Sequence, residues 1–200
     1  MKRFDRVHPI ILAAGSSSRM GRLKQLIEVR GEPAICRVIH LCRMAGTAPP
    51  ICVLGHEADA IESVLPDEPL CVVRNPDPAR GQTSSLKRGL AALPNAAVAF
   101  LLFPVDRAYV QLDDLSRLLD RFAKDDGEHA VFVPSFEQRR GHPVVVREAS
   151  VAEIQSLSDE EPVRAAIFRD ESVVCYVEGV SRFVLSNIDT PEDEAHWRNA

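Results

Sequence analysis

A loop rich in small and basic residues, residues 12–25, is the first segment whose composition points to chemistry. It follows a short apolar run and reads Leu-Ala-Ala-Gly-Ser-Ser-Ser-Arg-Met-Gly-Arg-Leu-Lys-Gln. Gly15 and Gly21 let backbone N–H groups approach an anion closely. Three side chains add positive charge: Arg19, Arg22 and Lys24. The composition indicates a phosphate-binding loop, and a solvated turn between a strand and a helix is the alternative.

The loop matches neither of two common glycine-rich nucleotide motifs. Five residues separate Gly15 from Gly21, and Arg22 follows, so the spacing is neither that of a Walker A loop nor G-x-G-x-x-G. A nicotinamide-dependent oxidoreductase would also need an acidic residue at the end of the second strand, where this chain has Leu54-Gly55-His56. The sequence therefore argues against that class of enzyme.

Two further segments carry polar residues just beyond apolar runs. Residues 81–86, Gly-Gln-Thr-Ser-Ser-Leu, place backbone donors and hydroxyl groups at a predicted helix start, where they either cap the helix or bind a polar ligand. Asp106 ends the apolar run 98–105. An unpaired buried carboxylate is costly, so we expect Asp106 to bind a hard cation such as Mg²⁺, with a helix N-cap as the alternative.

The elements that must position these residues follow from hydrophobic periodicity. Short apolar runs predict strands, and amphipathic runs between them predict helices, which implies βαβ units with helices on both faces of a mainly parallel sheet. We predict an α/β fold, a three-layer α/β/α sandwich whose sheet becomes mixed past residue 140. The predicted strands are 7–14, 51–54, 70–73, 98–105, 130–133, 143–147, 173–177 and 183–187, and the helices are 33–45, 58–65, 83–93, 112–122, 151–157 and 162–168.

Length and composition limit the classes of function. With 200 residues, 46% of them hydrophobic, we expect one compact domain over residues 1–200. A net charge of −5 makes nucleic acid or an anionic membrane surface a poor partner, and no apolar run approaches the ~20 residues of a spanning helix. We therefore expect a cytoplasmic protein. The odd number of cysteines, none in a C-x-x-C pair, predicts buried thiols: Cys36, Cys42, Cys52, Cys71 and Cys175.

The first loop resembles the signature of the MobA-like nucleotidyltransferases, with the molybdenum cofactor cytidylyltransferases as the nearest branch. The signature is L-A-A-G-x-S-x-R-M-G-x-x-K-x-L, and Ser17 stands at its serine. The resemblance implies a Rossmann-like nucleotidyltransferase fold in which main chain from Leu12, Ala13, Ala14 and Gly15 contacts the base, while Arg19 and Lys24 hold the triphosphate. It also implies nucleotide contacts from the second segment, at Gly81, Gln82, Ser84 and Ser85.

Other segments are similar to the family's remaining motifs. Gly141-His142-Pro143 resembles a G-H-P motif whose histidine lies on the acceptor side, and residues 187–193 resemble an ending that makes Asp189 a second metal ligand beside Asp106. The chain departs from the family at Ala108, where a proline is usual, and at Asn187, where an aspartate is usual. The family's frequent tryptophan before Gly81 is also absent. Thr190 before Pro191 predicts a helix start.

The resemblance implies Mg²⁺-dependent nucleotidyl transfer, with Lys24, Arg19 and Asp106 as the catalytic residues. Ala14 favours CTP over GTP, and the implied acceptor is molybdopterin, with a molybdoenzyme or its chaperone as a further partner. Residues of about 1–110 would bind the nucleotide and those of about 111–200 the acceptor. Two alternatives stay open: a sugar-phosphate nucleotidyltransferase, and a non-catalytic maturation factor that binds the cofactor for a molybdenum hydroxylase.

Overall fold

A central, mostly parallel sheet organises the protein. The computed structural model describes residues 4–199. The strands of this region are β1 (Val7–Ala13), β2 (Glu28–Val29), β3 (Glu32–Pro33), β4 (Ile51–Leu54), β5 (Cys71–Arg74), β6 (Ala99–Pro104), β7 (Val131–Phe136), β8 (Arg139–Arg140), β9 (Val144–Arg147) and β10 (Val174–Val177). Strands β2 and β3 form a separate hairpin, and the others join one sheet in the order β10-β7-β9-β6-β1-β4-β5, with β8 paired to β7.

Helices cover both faces of the sheet, as predicted. Alternate residues of β1 point to opposite faces, so Ile11 joins one core with the first and fourth helices while Ile10 joins the other with the third, fifth and sixth. Strand β9 runs antiparallel to β6 and β7, which makes the sheet mixed where the sequence predicted it. The helices are α1 (Ala34–Met44), α2 (Ala58–Glu62), α3 (Gln82–Ala91), α4 (Leu112–Ala123), α5 (Val151–Ser156), α6 (Arg164–Ile167) and α7 (Pro191–Arg198).

The last helix, α7, begins with a side-chain cap and a proline. Thr190 caps α7 with its side chain, which accepts from the Asp193 N–H in a capping box, and Pro191 opens the helix as predicted. In the part of the chain that the structure describes, no helix has the length and apolar character needed to cross a bilayer.

The predicted strand 183–187 is wrong. Residues Arg182–Leu185 form a short 3-10 helix instead, begun by the Ser181 side chain. Their carbonyl groups are used by other partners: Val184 O accepts from the His142 N–H at 2.9 Å, and Arg107 donates to the carbonyls of Leu185 and Ser186. A strand would need these carbonyls for hydrogen bonds to a neighbouring strand, but they already accept hydrogen bonds from His142 and Arg107.

The prediction that every cysteine is a buried thiol is wrong at one position. The five cysteines are free, and Cys71 is exposed while the others are buried. Cys71 opens β5, which is the edge strand beyond β4 and is only partly covered. An apolar run does not by itself distinguish an edge strand from a central one, because both carry β-branched residues.

Helix α3 packs unusually close to the sheet because Gly89 faces it. A Cβ atom built on Gly89 would lie 2.6 Å from Ile10 Cγ2 and 3.0 Å from Val53 Cγ2. These contacts are shorter than van der Waals separation, so only glycine fits at this crossing.

We expect Gly89→Ala to lower the free energy of unfolding by about 1–2 kcal/mol. The clash with Ile10 and Val53 costs about 1–3 kcal/mol, and the better helix propensity of alanine returns only about 1 kcal/mol of it. Urea unfolding followed by circular dichroism measures the change. Arg88→Ala, at the exposed neighbour, is the matched control. A Gly89→Ala protein as stable as the wild type would show that helix and sheet are not in such close contact.

Candidate active site

A cleft of about 400 Å³ lies at the carboxyl ends of β1 and β6. The two strands pair in parallel with Leu12 opposite Pro104, so the loop after β1 and Asp106 after β6 leave the sheet side by side. In open α/β sheets this edge is where ligands bind. The predicted residues that line the cleft are Leu12, Ala14, Gly15, Arg19, Lys24, Gly81, Gln82, Ser85, Asp106 and Asp189.

The loop after β1 is held in shape by a buried glutamine. Gln25 Nε2 donates to the carbonyls of Ala13 at 2.7 Å and Gly15 at 3.0 Å, and Gln25 is 1% exposed. Ser17, in a left-handed backbone conformation, accepts from the Lys24 N–H at 2.9 Å through its Oγ. Both residues line the cleft, although neither was predicted as a site residue. The available signals were the position of Ser17 at the serine of the family signature and a glutamine directly after Lys24.

Basic side chains of this loop meet Asp189 from the far end of the chain. Lys24 Nζ contacts Asp189 Oδ1, and Arg19 NH2 lies 3.3 Å from Asp189 Oδ2. Asn187 Nδ2 also donates to Asp189 Oδ2, at 2.7 Å. Burial by itself would raise the pKa of Asp189, but the hydrogen bonds from Lys24 and Asn187 outweigh it and hold this pKa below its ordinary value. Asp189 is therefore ionised at neutral pH.

Asp106 lies in the same cleft, but its pKa is shifted in the opposite direction from that of Asp189. Its carbonyl accepts from the Ile188 N–H at 3.1 Å, which places the residue beside the Asp189 segment. Its Oδ1 is buried and makes no hydrogen bond with the described residues, although Arg107 Nε lies 3.4 Å away. Burial raises the pKa of Asp106 against the opposing charges of Arg107 and Lys24. The carboxylate thus lacks a full partner.

This arrangement fits a hard divalent cation. The donor set consists of carboxylate oxygens, which such cations prefer. The buried Oδ1 of Asp106 has unused acceptor capacity, and Asn187 Oδ1 is also buried without a hydrogen-bond partner among the described residues. Asp106 and Asp189 are the residues that could hold the ion. Asn187, where the family has an aspartate, instead orients Asp189 through its amide group.

Another acidic group, near the end of α4, has the spacing of a metal site but a different role. Asp125, Glu128 and His129 could offer three ligand atoms. However, Asp125 accepts from the Gly127 N–H, from His129 and from Arg147 NH2 at 3.0 Å, so its oxygens are already used. We interpret this cluster as structural.

The N-terminus of α3 forms a second wall of the cleft. Gly81 has a φ of 107°, a conformation that favours glycine, and Gln82 and Ser85 follow it on the cleft side. Asn75 Nδ2 donates to both Ser84 Oγ and Ser85 Oγ at 3.0 Å. Ser84 also donates to Gly81 O and lines a separate depression, so it braces the helix start instead of facing the cleft.

Two more predicted residues do not line this cleft. Ala13 is buried and contributes its carbonyl to the Gln25 side chain. His142 lies in an adjoining cleft of about 310 Å³ that shares Gln82 with the first one. Burial, with a contribution from the charge of Arg107, lowers the pKa of His142 to about 3, so the imidazole is neutral, and its Nδ1 has no hydrogen-bond partner among the described residues.

Comparison with known proteins gives the fold and the family. A model of the family described as MobA-like NTP transferase domain matches residues 9–173. Rv0371c from Mycobacterium tuberculosis H37Rv has a similar structure, with a TM-score of 0.86, 24% identity, and coverage of 98% of this chain and 99% of that one. A complex of Rv0371c with manganese gives a TM-score of 0.79 at 22% identity, over 98% of this chain and 99% of that one.

More distant relatives share the architecture. Molybdopterin-guanine dinucleotide biosynthesis protein A from Archaeoglobus fulgidus has a TM-score of 0.70 at 15% identity, covering 96% of this chain and 97% of that one. The bifunctional protein GlmU of Syntrophotalea carbinolica is 24% identical over 169 residues, which are 81% of this chain but 36% of GlmU. The chain therefore spans little more than a third of that relative. Since the family model covers most of this chain, the protein belongs to the MobA-like NTP transferase family, a family of nucleotidyltransferases.

Proposed function

We propose that the protein transfers cytidylyl groups from CTP to the phosphate of molybdopterin, with Mg²⁺ as cofactor and pyrophosphate as the leaving group. The observation that carries the proposal is the meeting of Lys24, Asp106 and Asp189 in one cleft beside the glycine and serine loop. A nucleotidyl transfer needs cationic groups for the triphosphate and oxygen ligands for a metal, and needs no protein nucleophile. A non-catalytic maturation factor would not need all three residues together.

Lys24 and Arg19 bind the triphosphate in this proposal. Both contact Asp189, whose single negative charge balances only one of them. When the anionic triphosphate enters, it competes with Asp189 for these cations. The Lys24 side chain is only 14% exposed, so burial limits the movement of its ammonium group. Little reorganisation is then needed as charge develops on the leaving pyrophosphate.

Asp106 and Asp189 would hold Mg²⁺. The cation would neutralise charge on the phosphate oxygens around the reacting phosphorus. Asp106 would then gain the partner that it lacks, and Asp189 would contact the metal ion in place of Lys24. Asn187 keeps Asp189 oriented during the exchange because it bonds to the other carboxylate oxygen.

The reaction itself is an in-line displacement. An oxygen of the acceptor phosphate forms a bond to the α-phosphorus of CTP, and the bond from that phosphorus to the oxygen bridging to the β-phosphate breaks. Pyrophosphate carries away the electron pair. The acceptor phosphate is already ionised at neutral pH, so the residues of the cleft position the two substrates and balance charge.

The preference for CTP rests on Ala14. Ala14 lines the cleft, and its side chain also lies against Gly55, where an added Cβ would be 2.9 Å from Ala14 Cβ. A methyl group here leaves less room for a base than a glycine would, which favours the smaller pyrimidine. The similar Archaeoglobus protein is named for a guanine dinucleotide, so the fold itself does not select the base.

The adjoining cleft is the proposed acceptor site. Its walls combine apolar side chains, Val144, Val163 and Ile167 among them, with polar groups from Gln82, Arg140, Arg164 and the neutral His142. The apolar side chains can pack against a planar ring such as a pterin, and the two arginines can pair with the phosphate of the acceptor, so the pocket suits molybdopterin. Much of this cleft comes from the second half of the chain, in line with the proposed division near residue 110. The product would pass to a molybdoenzyme or its chaperone.

We expect Lys24→Ala to lower the rate of cytidylyl transfer by about 10²–10³, the usual loss when one preorganised donor to developing charge is removed. Pyrophosphate release from CTP with molybdopterin measures it, and circular dichroism checks the fold. Lys124→Ala, an exposed lysine outside the cleft, is the control and should keep full activity. Unchanged turnover in Lys24→Ala would exclude the phosphate-binding role.

We expect CTP with Mg²⁺ to raise the thermal midpoint more than GTP with Mg²⁺ at equal concentration. A ligand that binds only the folded state stabilises it in proportion to the logarithm of its concentration over Kd. Differential scanning fluorimetry measures both shifts, and Ala14→Gly should reduce the difference between them. Equal shifts for the wild type, or a larger one with GTP, would contradict the argument from Ala14.

We expect Asp106→Asn to abolish activity at ordinary Mg²⁺ while stability stays equal or increases, because a buried charge without a full partner is removed. Asp189→Asn should also lose activity, and the double variant should be scarcely worse than either single one, since ligands of one ion act as a unit. Turnover across a Mg²⁺ titration tests this, with Asp126→Asn as an exposed control. Multiplicative losses in the double variant would mean that the two carboxylates do not share a metal.

A further inference from the structure

A second polar cleft, of about 740 Å³, shares no lining residue with the candidate active site. We name it the arginine cleft because three arginines line it, two on loops and one on the last helix. Its lining includes Arg22, Glu28, Arg30, Tyr109, Trp197 and Arg198. The proposed reaction uses none of these side chains.

The arginine cleft is built from the segments that carry the candidate catalytic residues. Arg22 belongs to the same loop as Lys24, and Tyr109 follows Asp106 in the loop after β6. Arg198 lies on α7, the helix that begins directly after the Asp189 segment. Each segment thus supplies one side chain to the active-site cleft and another to the arginine cleft.

Two of the arginines are held by one buried carboxylate yet keep donors free. Glu194 is 4% exposed, and its two oxygens contact Arg22 and Arg198 separately. The side chains of Arg22 and Arg198 are 58% and 60% exposed, so most of their five N–H donors remain available. With exposed Arg30, the three guanidinium groups outnumber Glu194 and Glu28. The arginine cleft is therefore locally positive in an acidic chain.

Tyr109 supplies the observation that points to a ligand. The residue is 3% exposed and lines the arginine cleft, and none of the described residues accepts the hydrogen of its hydroxyl, although Arg198 lies close enough to interact with the hydroxyl oxygen. Burial and the charge of Glu194 raise the pKa of Tyr109, and Arg198 and Arg30 only partly oppose this, so the hydroxyl stays protonated. A buried hydroxyl hydrogen without an acceptor is costly, and an oxyanion in the arginine cleft would accept its hydrogen bond.

We propose that the arginine cleft is a binding site for a small phosphate-bearing molecule, held by Arg22, Arg30 and Arg198 and by a hydrogen bond from Tyr109. Three guanidinium groups and a hydroxyl offer more donors than the two carboxylates, Glu194 and Glu28, can accept, whereas the oxygens of a phosphate group can use them. The volume of the cleft leaves room for more than inorganic phosphate, and Trp197 is part of its lining. Occupancy would tie together the three segments that carry Lys24, Asp106 and Asp189.

Calorimetric titration with pyrophosphate at fixed ionic strength tests the site. The wild type should bind at two sites, and Lys24→Ala, which disables the active-site cleft, should retain one. In that background Arg30→Gln or Tyr109→Phe should weaken the retained site about tenfold, as expected for the loss of one charge-assisted hydrogen bond. Hydrogen exchange of the peptide around Arg22 should slow when the retained site is filled.

Controls separate a specific site from general attraction of anions. Arg139→Ala removes an exposed arginine outside the cleft and should leave the retained site unchanged, and citrate should bind more weakly than pyrophosphate.

Tighter binding of AMP would identify a phosphorylated metabolite as the ligand, and tighter binding of pyrophosphate would identify the reaction's own product. An unchanged Kd in both Arg30→Gln and Tyr109→Phe would overturn the proposal. So would an equal loss in Arg139→Ala, equal binding of citrate, or no retained site in Lys24→Ala.

Discussion

The parallel pairing of β1 with both β4 and β6 is the constraint on which the rest of the structure depends. Ile10 and Ile11 are fully buried on opposite faces, so β1 anchors both cores at once. Its register with β6 makes the two strands end together, and this brings the loop after β1 next to Asp106. On the other side, the Ala14 carbonyl accepts from the His56 N–H at 3.2 Å, which ties the same loop to the end of β4. A shift in this register would separate the side chains of the cleft.

The two carboxylates of the cleft are in unlike environments, and the difference has chemical meaning. The pKa of Asp106 is raised by burial, because its charge has incomplete compensation, whereas the pKa of Asp189 is held low by the hydrogen bonds of Lys24 and Asn187. A cation beside Asp106 would compensate its negative charge, and an anion beside Lys24 would compensate its positive charge. The proposed complex of a metal ion with a nucleoside triphosphate would provide both charges together.

Buried polar side chains hold the segments that line the cleft. Gln25 fixes the first loop through two carbonyl groups, and Asn75 fixes the start of α3 through two serine hydroxyls. Glu194 connects the first loop to α7 by way of Arg22 and Arg198. Gln25, Asn75 and Glu194 are each buried and bonded to two neighbouring groups, so they restrict the movement of these segments. The arginine cleft belongs to this supporting layer.

Local sequence determined the alternation of strands and helices, the three layers and the small, basic character of the first loop, because periodicity and composition act over a few residues. Family resemblance indicated most of the cleft, including Asp106 and Asp189. Only the tertiary structure decided that adjacent Ser84 and Ser85 face different surfaces, since helix rotation separates neighbours. It also decided that Arg182–Leu185 forms a 3-10 helix and not the predicted strand, and it brought Lys24 to Asp189, 165 positions away in the chain. Such pairings depend on which carbonyls and charges meet after folding, and no local pattern encodes them.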